Sequence, residues 1–151
     1  MFNKKSALYW ANIGPSSEIP ATAVRGGFDE DQNPIYVGSV IHNGCRIPVK
    51  AIPKKGGAFL CVEGKEIVKS EYQILCEKRI EWVHASKGVV PPGAIVGGKT
   101  INGEPLYIAR ARHAGYVVTV GKLQVSSKVC HIGYAGKEHA CEEYEVLVAK
   151  E

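Results

Sequence analysis

What this sequence lacks narrows its reading sharply. No apolar stretch approaches the roughly 20 residues that a membrane-crossing helix needs, so no membrane span is expected. The segment before Pro15 carries two lysines but no apolar signal-peptide core. A cytoplasmic protein is therefore expected, with non-classical release or vesicle association left open. Excess charge of one sign is also scarce: 19 Lys and Arg against 15 Asp and Glu give +4, with the signs interspersed. The densest basic cluster, Lys50 to Lys55, is too thin for a nucleic-acid footprint.

Catalytic signatures are missing as well. Ser39 stands beside a glycine but in no GxSxG elbow. No GxGxxG follows a strand and opens a helix. Neighbouring carboxylates, Glu30-Asp31 and Glu142-Glu143, splay apart on a strand, as do Cys130 and His131. The five cysteines are odd in number and contain no CxxC, which reads as reduced thiols. No enzyme, cofactor or metal site is expected. Nor does any window of a dozen residues keep a helical period.

What the chain does have is an internal repeat. Residues 26–50 resemble residues 97–122: Gly26-Gly27 falls on Gly97-Gly98, Pro34 on Pro105, Tyr36 on Tyr107, His42 on His113 and Gly44 on Gly115. One extra residue then shifts the offset from 71 to 72, which brings Lys50 onto Lys122, Gly64-Lys65-Glu66 onto Gly136-Lys137-Glu138, and Tyr72 onto Tyr144. Upstream, Trp10 matches Trp82. The expectation is a single domain over 1–151, with a first repeat at 10–76 and a second at 82–149. Each repeat alone is too short to bury much apolar surface.

Short β-rich segments recur every eight to twelve residues, bounded by glycine, proline and Asn-Gly. The class is all-β, and a pseudo-twofold β-sandwich is expected, a closed sheet being the alternative. Ala23–Arg25 and Ala94–Val96 read as strands ending at the double glycines. His42 and His113, just before turn glycines, read as turn or packing residues.

One pair of polar residues could form a binding site. Asp29 follows the first double glycine and Lys50 closes the next-but-one strand, so a meander brings them to one edge. A carboxylate accepts and an ammonium donates hydrogen bonds, which suits the vicinal hydroxyls of a neutral sugar. A turn-capping Asp and a solvated Lys fit the same positions.

The ordered series of Trp, Gly-Gly, a Tyr-bearing strand, His-x-Gly, Lys, Gly-Lys-Glu and Tyr-x-x-Leu resembles the DM-nine repeat family. The second copy carries it best, in Trp82-Val83, Pro91-Pro92-Gly93-Ala94, Gly97-Gly98, Leu106-Tyr107-Ile108, Gly121-Lys122 and Gly136-Lys137-Glu138. The resemblance covers nearly the whole chain. It implies a two-repeat β domain, mannose-type carbohydrate as partner, a lectin-like role in innate recognition, and a homodimer. It assigns the sugar to Asp29 and Lys50. In the second copy the lysine persists as Lys122, but Thr100 takes the place of Asp29, and Asn102 is the nearest substitute acceptor. Lys137 and Glu138 are candidate neighbours of the first site if twofold symmetry carries them there; otherwise their Gly-Lys-Glu is a hairpin turn in solvent. The rival reading is an intracellular self-assembling or vesicle-associated protein whose sugar site has no function.

Overall fold

The computed structural model describes residues 8–77, 79–113 and 117–150. Gly115, the expected partner of Gly44, lies outside the described residues. The first half forms β1 (Tyr9–Ile13), β2 (Arg25–Phe28), β3 (Pro34–His42), β4 (Cys45–Ile52), β5 (Gly57–Val62), β6 (Lys65–Lys69) and β7 (Tyr72–Cys76). The second forms β8 (Ile80–Ser86), β9 (Val96–Lys99), β10 (Pro105–His113), β11 (Val117–Gln124), β12 (Val129–Tyr134), β13 (Lys137–Cys141) and β14 (Glu143–Ala149). A single 3₁₀ turn follows β4 at Pro53–Lys55 and another follows β11 at Val125–Ser127. No helix among the described residues is long and apolar enough to cross a membrane.

Turn chemistry sets the hairpins. Asn43-Gly44, Glu63-Gly64 and Ala135-Gly136 all take positive φ at both positions. Each pair joins two registered strands, His42 opposite Cys45, Val62 opposite Lys65 and Tyr134 opposite Lys137. That geometry matches the right-handed twist of the flanking strands. The Gly-Lys-Glu segments are therefore not whole turns in solvent. Their glycine closes the turn, and Lys and Glu already belong to β6 or β13.

The expected sandwich gives way to a closed sheet. β2 pairs β3 on one side and β11 on the other. The path β2-β3-β4-β5-β6-β13-β12-β11 thus returns to its start as an eight-stranded barrel. Two seams join the halves. At one, Phe28 pairs Val118; at the other, Lys65 pairs Lys137. The second seam is reciprocal: Glu66 N–H donates to Gly136 O at 3.0 Å and Glu138 N–H to Gly64 O at 3.1 Å.

The double glycines explain the first seam and a further close approach between the halves, β9 against β4. The strands do not stop at them, as the sequence suggested; β2 and β9 run through them. A β-carbon on Gly27 would sit 2.0 Å from Val118 O, and one on Gly98 would sit 2.0 Å from Arg46 O. Backbone lies against backbone there, and only glycine permits it.

Three apolar clusters fill the molecule. The middle one draws Val24, Ile35, Val37, Ile52 and Leu75 from the first half and Ile95, Ile108, Val120 and Leu147 from the second, with Trp10 and Trp82 packed against it. One flanking cluster belongs to each half. In β10, Ile108 serves the middle cluster while Tyr107, Ala109 and Ala111 serve the flanking one, the alternation a strand imposes.

Candidate functional site

Asp29 and Lys50 do converge. Both line one cavity of about 150 Å³, together with Glu30, Lys55, Phe59, Glu66, Thr119 and Tyr134. That is space for roughly five waters. Its walls come from both halves, because the seams bring β11 and the end of β12 against the β2–β3 turn.

Asp29 is buried and organises its own turn. Its Oδ1 accepts the backbone N–H of Asp31 at 2.9 Å and of Asn33 at 2.8 Å. Its Oδ2 accepts Asn33 Nδ2 at 3.0 Å and pairs with Lys55 Nζ at 3.0 Å. Burial pulls the Asp29 carboxyl up, but the hydrogen bonds from Asn33, Lys55 and Asp31 outweigh it and hold the group below its ordinary value. A carboxylate offers about four acceptor positions, and here all are taken. A ligand hydroxyl reaches Asp29 by displacing a donor. Lys55, whose side chain is 34% exposed, is the donor with room to leave. The hydrogen bond to Asp29 raises the Lys55 pKa, so it stays charged in place.

Lys50 is not solvated. Its Nζ donates to Gly133 O at 2.6 Å, lies 2.9 Å from Glu66 Oε2, and sits 5.6 Å from the Phe59 ring centroid. An ammonium has three donors, so one remains for a ligand. Gly133 is bare because a β-carbon there would come within 2.1 Å of Glu66 Oε2. Nearby, burial pushes the Cys61 thiol up to about 12, with the Glu138 and Glu66 charges adding to it. Such a thiol stays protonated and unreactive. On the far side of Tyr134, its ring packs 4.5 Å from that of His113, which also meets His139 at 4.3 Å. Burial lowers the His113 pKa, and the His139 charge adds to that. The expected packing role of His113 is what these contacts describe.

The second copy is built differently. Thr100 Oγ1 takes the turn-capping place of Asp29, accepting Glu104 N–H at 3.1 Å. Glu104 then binds Gln124 Nε2 at 2.8 Å, Ser126 N–H at 2.9 Å and Ser126 Oγ at 2.8 Å. Ser127 stands where the first copy has Lys55. Lys122 donates to Cys61 O at 3.0 Å and lies 3.8 Å from Glu138 Oε2, repeating the Lys50 arrangement with the halves exchanged. Thr100 and Lys122 do not share a cavity, however. Thr100 lines a groove of about 580 Å³ with Trp10 and Arg46, while Lys122 lines a slit of about 10 Å³. Asn102 and Lys137 are exposed, and neither lines the cavity of Asp29 and Lys50.

Glu138 therefore neighbours Lys122 rather than the first site, and the acidic neighbour of Lys50 is Glu66 of its own half. The sequence reading set Glu66 aside as a turn residue. Its strand position after a two-residue loop was the available signal. Thr119 and Tyr134 gave none, since only the seams bring them here. The cysteines are all free, and no cluster of three metal-ligating side chains occurs among the described residues.

No curated protein matches the sequence. Among solved structures, the fold resembles the crystal structure of the nematode sperm cell motility protein MFP2B, with a TM-score of 0.72 at 17% identity. The match covers 99% of this chain and 49% of that one, so the chain spans about half the length of that protein. The DM9 repeat model matches residues 29–141, a stretch holding both Asp29 and the second Gly-Lys-Glu, and the chain belongs to the DM9 repeat family.

Proposed function

We propose that this chain is a lectin-like recognition protein that binds a mannose-type carbohydrate in the Asp29/Lys50 cavity, without catalysis. One observation carries the reading: two residues 21 positions apart in sequence, an acceptor and a donor, wall the same small polar cavity. Phe59 and Tyr134 add aromatic faces to it. A cavity of about 150 Å³ suits one terminal sugar unit rather than the middle of a chain. A role in innate pattern recognition follows from such a ligand.

We further read the halves, 10–76 and 82–149, as tandem repeats of one domain related by a pseudo-twofold axis. The recurring order of elements and the reciprocal Lys50 and Lys122 contacts support this. The second site is then decayed, since Thr100 and Ser127 stand in place of Asp29 and Lys55, and Thr100 and Lys122 line separate pockets.

Calorimetric titration of mannose, with glucose and galactose as controls, tests the reading. Wild type should bind one mannose per chain, and Asp29→Asn, which keeps Oδ1 for the turn, should lose most of the heat. No heat from folded wild type with any sugar, or undiminished binding in Asp29→Asn, refutes it. Self-assembly is the second reading, favoured by β1 and β8, which end the sheet and have no strand partner on their outer edge among the described residues. Light scattering after size exclusion, with and without mannose, decides whether association is indifferent to sugar. It also tests the expected homodimer.

A further inference from the structure

The cavity holds a polar atom that the fold leaves unused. Thr119 is fully buried, and its Oγ1 has no hydrogen-bond partner. Glu66 Oε2 is buried as well, and the Lys50 ammonium 2.9 Å away is its ion-pair partner. Both residues line the cavity. A buried hydroxyl without a partner costs free energy in the folded state, so it persists against stability.

The first copy shows that the barrel does not need this hydroxyl. At the offset of 72, Thr119 corresponds to Ile47, which faces Val40 across β3–β4 as Thr119 faces Ala111 across β10–β11. An aliphatic side chain thus fills the same strand position without loss of the fold. The other cavity residue from the opposite half, Tyr134, corresponds to Val62. Apolar residues thus stand at both matching positions, where they pack against the apolar cluster of the first half.

We propose, resting on the sugar-binding reading above, that Thr119 reads a specific ligand hydroxyl, making it a specificity-determining residue contributed by the opposite half. Its hydroxyl both donates and accepts, Glu66 accepts, and Lys50 donates. A ligand hydroxyl placed among them satisfies Thr119. A deoxy position leaves Thr119 without a partner. Sites built to hydrogen-bond a hydroxyl discriminate strongly against analogues that lack it. The ligand class is therefore a neutral polyol with one obligatory hydroxyl.

The test is calorimetric titration of mannose and its monodeoxy analogues into wild type, Thr119→Val and Thr119→Ser, with thermal melts of all three. Thr119→Val should melt no lower than wild type yet bind mannose about tenfold or more weakly. Thr119→Ser should restore binding. One monodeoxy analogue should bind wild type as weakly as mannose binds Thr119→Val, and should lose nothing further in that variant. Unchanged mannose affinity in Thr119→Val, with wild type binding normally, overturns the role of Thr119 and leaves the sugar site standing. A Thr119→Val that melts lower and loses binding for every analogue alike also overturns it, since the hydroxyl is then structural. Absence of binding by wild type overturns both.

Discussion

Gly27→Ala and Gly98→Ala probe how the two halves are held together, Gly27→Ala at the seam that closes the barrel. Neither glycine has a positive φ, so alanine meets no backbone strain and the effect is purely one of contact. At Gly27 the new β-carbon would lie 2.0 Å from Val118 O and 2.9 Å from its carbonyl carbon; at Gly98 it would lie 2.0 Å from Arg46 O and 2.6 Å from that carbon. Ordinary contact begins near 3.4 Å, so the facing backbone must retreat by about 1.4 Å. Neither obstacle is a side-chain tip that can swing aside. Overpacking typically costs about 1–3 kcal/mol. Adding the loss of the Phe28–Val118 seam, we expect about 3 kcal/mol or more for Gly27→Ala and a similar cost for Gly98→Ala. For a domain of this size that is a fall in melting temperature of about 6–12 °C. Gly14→Ala is the control, because its β-carbon would meet nothing nearer than Ser17 Oγ at 3.9 Å. It should stay within about 1 kcal/mol of wild type. Urea and thermal melts followed by circular dichroism supply the numbers. If all three variants melt within about 2 °C of wild type, close backbone approach does not hold the two halves together.

Two further tests concern the charged groups of the cavity. Lys50→Met leaves the Glu66 carboxylate buried without its ion pair, and should cost about 3–5 kcal/mol in urea unfolding. The double variant Lys50→Met/Glu66→Leu should recover much of that; if the single and double variants are equally unstable, the pair is not what matters. Asp29 has a depressed pKa in the folded state, so its stabilising contribution is complete above the ordinary aspartate range and disappears as pH falls through the folded value. Melts between pH 7 and 3 should show wild type losing more stability than Asp29→Asn; parallel curves would remove Asp29 from the acid response.

Local chemistry was legible and cross-half chemistry was not. Asn102-Gly103 announced the β9–β10 hairpin, and Gly44, Gly64 and Gly136 announced turns, because few residues tolerate positive φ; alternation in β10 announced a strand. Asp29 and Lys50 were legible as a pair because a meander returns its strands to one edge. Glu66 was missed because Gly-Lys-Glu was read as one turn, whereas two residues suffice for the loop and Glu66 lands in a strand facing Lys50. Thr119 and Tyr134 lie 90 or more residues from Asp29, and the contact rests on seams whose signal was a pair of glycines. Those glycines were read as strand ends, since a missing side chain looks the same whether it frees the backbone or admits another one. The barrel itself follows from that seam, so it too was read only as an alternative.

The reciprocal seam has a consequence for how such a molecule diverges. Contacts in which Glu66 meets Gly136 while Glu138 meets Gly64 are those of an isologous dimer, in which one patch pairs with itself. In a true dimer every substitution strikes both sites at once, and a hydroxyl useful to one pocket is forced on the other. Joining the halves in one chain removes that constraint. Thr119 can line the cavity of Asp29 and Lys50 while Ile47, at the matching position, packs against the apolar cluster of its own half, so each position is free to change alone.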